Sequence, residues 1–163
     1  MELSYFRRQP PATIFDIFIP VTFTDDVYPC VFDMDNSLGM GGALFPAATQ
    51  AHAGGNGFLP GGINSLDDIA MVWYTRQSDT NRFYGEFGAY AGQQNDPFDD
   101  FGVQTTFDIN NVTHDEIQIT KLDADLSVDL SLAVANAFYS LQVVSKTQTT
   151  QEVTLLGFII YIS

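Results

Sequence analysis

The sequence is poor in the residues that most chemistry uses: one cysteine, two histidines and six basic residues in 163 positions. A single cysteine, Cys30, excludes an internal disulfide. His52 and His114 stand apart from any cysteine or second histidine at ligand spacing, which argues against a transition-metal site. The six bases face twenty acids, for a net charge of −14. Such a surface repels phosphate backbones and anionic lipid, so neither nucleic acid nor a membrane face is expected as a partner. No run of about 18 apolar residues occurs, and the opening MELSYFRRQPPATIF has no apolar leader core, so no membrane insertion and no secretory signal are expected. Helical periodicity is scarce as well. The stretch Leu132–Ala137 makes at most a turn or two.

Hydrophobic residues make up 45% and aromatics 13% of the chain, a globular composition. A chain of this length is one domain by the usual prior and buries about 68–70% of its unfolded surface. Apolar residues recur with period two. Phe15, Ile17, Ile19, Val21 and Phe23 form one stripe, and Pro20 within it points to a sheet edge. Phe101, Val103, Thr105, Phe107 and Ile109 form another. In LDADLSVDLSL the residues Leu122, Ala124, Leu126, Val128, Leu130 and Leu132 face one way and the acids and serines the other, which reads as a strand with one wet face. Further strands are expected over Val27–Met34, Ile69–Arg76, Arg82–Ala91, Glu116–Lys121, Phe138–Lys146 and Glu152–Ile162. The runs Ile69–Tyr74 and Leu155–Tyr161 are apolar on both faces and suit central strands, or strands covered by a second subunit. Turn signals at Asp79–Asn81, Asn95–Pro97 and Asn110–Asn111 separate the runs. Together these predict an all-β chain: a two-sheet antiparallel β-sandwich of the jelly-roll kind.

Two segments stand outside that pattern. Asn36–Asn64 holds eight glycines and two prolines and reads as a long glycine-rich loop within a domain spanning 13–163. Residues 1–12 carry Arg7 and Arg8, with Tyr5 and Phe6 as apolar anchors and Pro10-Pro11 to hold the chain extended. They read as an N-terminal assembly arm.

The stretch CVFDMDNSL, Cys30 to Leu38, looks like the first motif of the haloacid-dehalogenase phosphatases, in which the first Asp attacks phosphorus. That chemistry needs the Asp to end a parallel strand that feeds a helix. Gly39-Met-Gly-Gly follows instead, and the expected reading is a strand running into an Asx-type turn. Asp33, Asp35 and Ser37 also make a candidate calcium loop. Leu38 and Leu44 stand where an EF-hand needs Gly and Glu, so only a looser calcium site is left. Asp67-Asp68 and the group Asp96, Asp99, Asp100 read as solvated turn caps. No nucleophile elbow occurs, and Cys30 sits in an apolar run as a packed side chain. Asn111-Val-Thr113 matches a glycosylation sequon. Trp73, Tyr74, Phe83, Tyr84, Phe87 and Tyr90 line either a core or a sugar-binding face; core is the default, because alternate strand residues must point inward.

The run Leu66-Asp-Asp-Ile-Ala-Met-Val-Trp-Tyr-Thr-Arg76, then Ala137-Phe-Tyr-Ser-Leu141, then Leu155-Leu-Gly-Phe-Ile-Ile-Tyr161 resembles the small β-sandwich and jelly-roll virion proteins of bacterial viruses. The resemblance covers roughly Leu66 to Ser163. It implies a non-enzymatic structural protein without a cofactor, resident in the virion as a capsid, penton, decoration or fibre-associated subunit, and partnered by copies of itself and other virion proteins. The rival expectation is a carbohydrate- or calcium-binding sandwich module.

Overall fold

The computed structural model describes residues 16–35, 40–59, 66–92, 95, 101–126 and 137–162. The N-terminal part of the chain forms β1 (Ile17–Pro20), β2 (Phe23–Thr24), β3 (Val31–Asp35), β4 (Met40–Phe45), β5 (Ala51–Leu59) and β6 (Leu66–Thr75). The rest forms β7 (Arg82–Gly92), β8 (Phe101–Asn110), β9 (Gln118–Lys121), a helical turn α1 (Leu122–Leu126), β10 (Ala137–Ser145) and β11 (Val153–Ile162). One sheet runs β3-β4-β11-β6-β9, with β1 also beside β11; the other runs β2-β5-β10-β7-β8. Every strand pair is antiparallel. The all-β, two-sheet antiparallel sandwich expected from the period-two pattern is therefore the observed fold.

The two sheets close on an apolar interior. Ile69, Met71 and Trp73 of β6 and Leu155, Phe158 and Ile160 of β11 face Phe83 and Phe87 of β7 and Tyr139, Leu141 and Val143 of β10. Phe83 is the centre of an aromatic cluster, with ring centroids 5.0 Å from Trp73, 4.9 Å from Phe107 and 5.9 Å from Phe45. Such tilted and edge-on pairs add about 0.5–1.5 kcal/mol each beyond the area they bury. β6 and β11 are flanked on both sides; β6 is buried on both faces, as its unbroken apolar run suggested, while the outward side chains Leu156, Ile159 and Tyr161 of β11 are half-buried.

Four expectations need correction. The glycine-rich stretch 36–64 is not one long loop, because β4 and β5 run through it. Three of its glycines, on β5, sit where the N-terminal strands cross close above: a Cβ on Gly55 would strike the Pro20 carbonyl, one on Gly57 the Ile19 side chain, and one on Gly54 the Phe23 ring. Low strand propensity hid a place where only glycine fits.

The stripe Phe15–Phe23 is not one strand. β1 pairs with β11, and β2 pairs with β5 in the opposite sheet. The handover takes two residues, with the Val21 N–H donating to Leu156 O at 3.3 Å and the Thr22 N–H to Gly54 O at 2.8 Å. Pro20, which has no N–H to offer, ends the edge strand β1.

The strand expected over 122–132 begins instead as α1; residues 127–136 lie outside those described. The cause is Asp68, which was expected to be a solvated cap but lies inside β6 at 6% exposure. Its carboxylate accepts the N–H groups of Asp123 at 3.0 Å and Ala124 at 3.2 Å. Asp125 in turn accepts the Lys121 N–H at 2.7 Å. Acids in a first helical turn also suit the helix dipole. Leu122 is fully buried, and Leu126 packs partly buried on the core. The spacing i, i+4 that reads as alternation along a strand also puts both leucines on one side of a helix.

Lastly, Asp33 and Asp35 are strand residues rather than turn residues, opposite Gly42 and Met40 in the β3–β4 pair.

Candidate functional site

Four connections meet at one end of the sandwich: 46–50, 76–81, 111–117 and 146–152. They follow from the strand order and are stitched together by side chains that the sequence offered only as turn formers. Asn81, 5% exposed, is the hub. Its amide donates to Ser78 O at 2.6 Å and Val112 O at 2.7 Å, while its Oδ1 accepts the Val112 N–H at 3.2 Å. Its own carbonyl takes the Asn111 N–H at 2.8 Å. Asn111 has φ of 55°, a left-handed conformation that asparagine tolerates better than most residues. Thr149, fully buried, bonds the Tyr84 backbone through its hydroxyl, and Gln151 donates to both Ser78 Oγ and Thr80 O.

These residues enclose an open depression of about 370 Å³ lined by Thr80, Asn81, Arg82, Asn110, Asn111 and Thr150. The lining is hydroxyls, amides and one guanidinium. Arg82 is held by Asp108 through two hydrogen bonds of 2.8 Å, and its guanidinium carbon lies 4.9 Å from the Tyr84 ring centroid. The same guanidinium holds the Asp108 carboxyl below the usual range. On the rim, the His114 ring lies 2.8 Å from Asp79 through Nδ1 and 3.5 Å from Asp115 through Nε2. Asp79 also accepts the His114 backbone N–H at 2.8 Å. The hydrogen bond to Asp79 raises His114 above its ordinary value, and the His114 backbone N–H, ahead of the ring, lowers Asp79. The Thr150 hydroxyl is engaged in the structure, accepting the Arg82 N–H at 2.9 Å. The arrangement is a closely hydrogen-bonded rim around an open depression.

The second surface is the outward face of the sheet β2-β5-β10-β7-β8. His52 on β5 bridges Asp25 at 3.2 Å and Gln142 on β10 at 2.9 Å. The Val27 N–H, with the His52 ring behind it, holds the Asp25 carboxyl low. Glu86 takes Lys146 at 3.2 Å and the Gln104 amide at 3.1 Å. Phe58 and Phe138, directly opposite one another on β5 and β10, are 55% and 44% exposed.

Of the residues singled out from the sequence, Asp33 and Asp35 lie on an antiparallel strand at a sheet edge, with β4 as its neighbour. That is not the parallel strand feeding a helix that the phosphatase motif needs. Ser37 and the arm residues Tyr5, Phe6, Arg7 and Arg8 fall outside the described residues, as do Asp96, Asp99 and Asp100. Cys30 is buried, and burial pushes its thiol up to about 12, so it is packed rather than reactive. Trp73, Tyr74, Phe83 and Phe87 are interior, while Tyr84 and Tyr90 are half-buried on the outward face. Both histidines pair with carboxylates. Sequence reasoning missed Asn81, Thr149 and Asp68; the one available signal was Asp79-Thr80-Asn81, read only as a turn. Comparison with protein-family models and with curated proteins finds no match.

Proposed function

We propose that this chain is a non-enzymatic structural subunit of a bacterial-virus particle, in a capsid, penton, decoration or fibre-associated position. It acts by protein–protein assembly with copies of itself and with other virion proteins. It would be made in the host cytoplasm and carried in the virion.

The observation that carries this reading is the strand order. From β4 onward the chain crosses between sheets at every connection except β7 to β8, placing β4-β11-β6-β9 over β5-β10-β7-β8. That winding supports a jelly roll, the eight-strand double-sheet architecture used by viral capsid domains, and also by lectins and cupins. Fold alone does not select among these. The surface supports assembly. Both edges of the sheet β3-β4-β11-β6-β9 carry exposed apolar side chains: Val31 and Phe32 on β3 at 62% and 48%, and Ile119 on β9 at 50% with Ile117 before it at 51%. On β1, Phe18 lies over Gly157 and is 53% exposed. The register places Val31, Phe18 and Ile119 on the outward face of that one sheet. Apolar, unpaired sheet edges invite another chain.

The test is assembly state. Sedimentation of the purified chain should show a defined oligomer or particle. Deleting residues 1–12, which span some 35 Å when extended at about 3.1 Å per residue, should leave a folded chain that no longer assembles. A wild-type chain that stays monomeric at every concentration and joins no particle refutes the proposal. A truncated chain that assembles normally, or that unfolds, refutes the role of the arm.

A further inference from the structure

We propose that the outward face of the sheet β2-β5-β10-β7-β8 binds a neutral oligosaccharide, with Tyr90 as the stacking ring and Asn56, Gln104 and Gln142 as the amides that read its hydroxyls. This goes beyond assembly and does not depend on it.

The register lays the site out in rows. Ser140 on β10 stands opposite both Asn56 on β5 and Tyr90 on β7. In the next row Gln142 stands opposite Gly54 and Gly88, and Gly88 opposite Gln104 on β8. The row beyond Tyr90 carries the exposed pair Phe58 and Phe138. Rows lie about 6.6 Å apart and strands about 4.8 Å apart, so rings and amides alternate at close range across a shallow strip. Tyr90 leans along the sheet across Gly88: a Cβ there would lie 2.8 Å from the tyrosine Cε2 and 3.3 Å from its Oη. With no side chain at Gly88, the Cε2–Oη edge of the ring settles into that space and the ring stays half-buried beside the amides, an aromatic surface of the kind the C–H face of a sugar packs against. The amides are already oriented. Gln142 is pinned between His52 and the Ser140 hydroxyl, and Gln104 by Glu86. Preorganised polar groups lose little entropy on binding.

Charge selects the class of ligand. Among the described residues of this strip and the strand ends beside it, Glu86 pairs with Lys146, Asp108 with Arg82, and the Asp25 carboxylate meets the His52 ring. Aromatic surface and amides are thus offered without spare positive charge, on a chain of net charge −14. Sulfated and sialylated glycans are repelled, while a neutral, hydroxyl-rich chain meets no penalty.

The full chain should be titrated calorimetrically with the β-1,4-glucan, chitin and α-1,4-glucan hexaoses, with heparin as the charged control. Saturable binding to at least one neutral hexaose is expected, with heparin inert. Tyr90→Ala should weaken that binding about tenfold or more, the scale of one lost ring contact, while Tyr90→Phe keeps it. Circular dichroism checks that Tyr90→Ala folds. If it does not, Gln104→Ala, at an exposed position of β8, should weaken binding instead. No binding to any of the three hexaoses, binding to heparin alone, or a folded Tyr90→Ala that binds like wild type overturns the proposal.

Discussion

Replacing Asp68 by alanine should destabilise the chain far more than an acidic residue in an acid-rich protein would suggest. Its carboxylate accepts three backbone N–H groups: Ile69 at 2.8 Å, Asp123 at 3.0 Å and Ala124 at 3.2 Å. The two on α1 belong to exposed residues, so water can replace the lost acceptor, and the cost there is that of a helix cap, about 0.5–2 kcal/mol. Ile69 is fully buried. Its stranded N–H costs a further 1–3 kcal/mol or so. The sum, about 1.5–5 kcal/mol, is a large share of a total near 5–15 kcal/mol and should lower Tm by roughly 3–20 °C at this chain length. Asp68→Asn keeps one carbonyl oxygen and should lose about half as much. Urea unfolding gives the free energies, and amide hydrogen exchange at Asp123 and Ala124 locates the effect. If Asp68→Ala costs under about 0.5 kcal/mol, the size of an ordinary surface change, or if those two amides keep their protection, Asp68 does not hold α1 and the argument fails.

The rim pair His114–Asp79 makes stability depend on pH at both ends. His114 is raised, so its contribution is full below its unfolded value of about 6.5 and fades as pH climbs through the higher folded value. Asp79 is lowered, so its contribution is full above about 3.9 and fades as pH falls through the lower folded value. Between these limits Tm should fall in His114→Gln relative to wild type, and the two curves should converge above the raised histidine value; parallel curves would refute the pairing. Two neighbouring glycines should also differ. In Gly55→Ala the new methyl meets the Pro20 backbone, which cannot move without unseating β1, and about 1–3 kcal/mol should be lost. In Gly57→Ala it meets side-chain atoms of Ile19 and no backbone, so the loss should be smaller by urea titration. Equal losses would mean that β1 does not cross there.

Period-two patterning was enough to identify an all-β sandwich and to narrow β6 and β11 to central strands or strands covered by a second subunit, because a strand's burial on one face or both is written directly in the spacing of its apolar residues; the sheet order makes them central. The same local logic identified Cys30 as packed, and gave core as the default for six aromatics, of which Tyr84 and Tyr90 instead lie half-buried on an outward face. It failed where a residue's conformation answers to a distant partner. The glycines of β5 read as loop because nothing in their neighbourhood shows that Ile19, Pro20 and Phe23 pass over them. Leu122–Leu126 read as strand because alternation and a helical turn share the i, i+4 spacing, and the carboxylate that decides between them sits more than fifty positions earlier, on Asp68. Both candidate surfaces are of this second kind. Asn81 becomes a hub only when 76–81 and 111–117 meet, and Tyr90 joins Asn56, Gln104 and Gln142 only once four strands are in register. Burial periodicity is a property of each segment by itself, whereas a binding surface belongs to strands that only the closed sheets bring together.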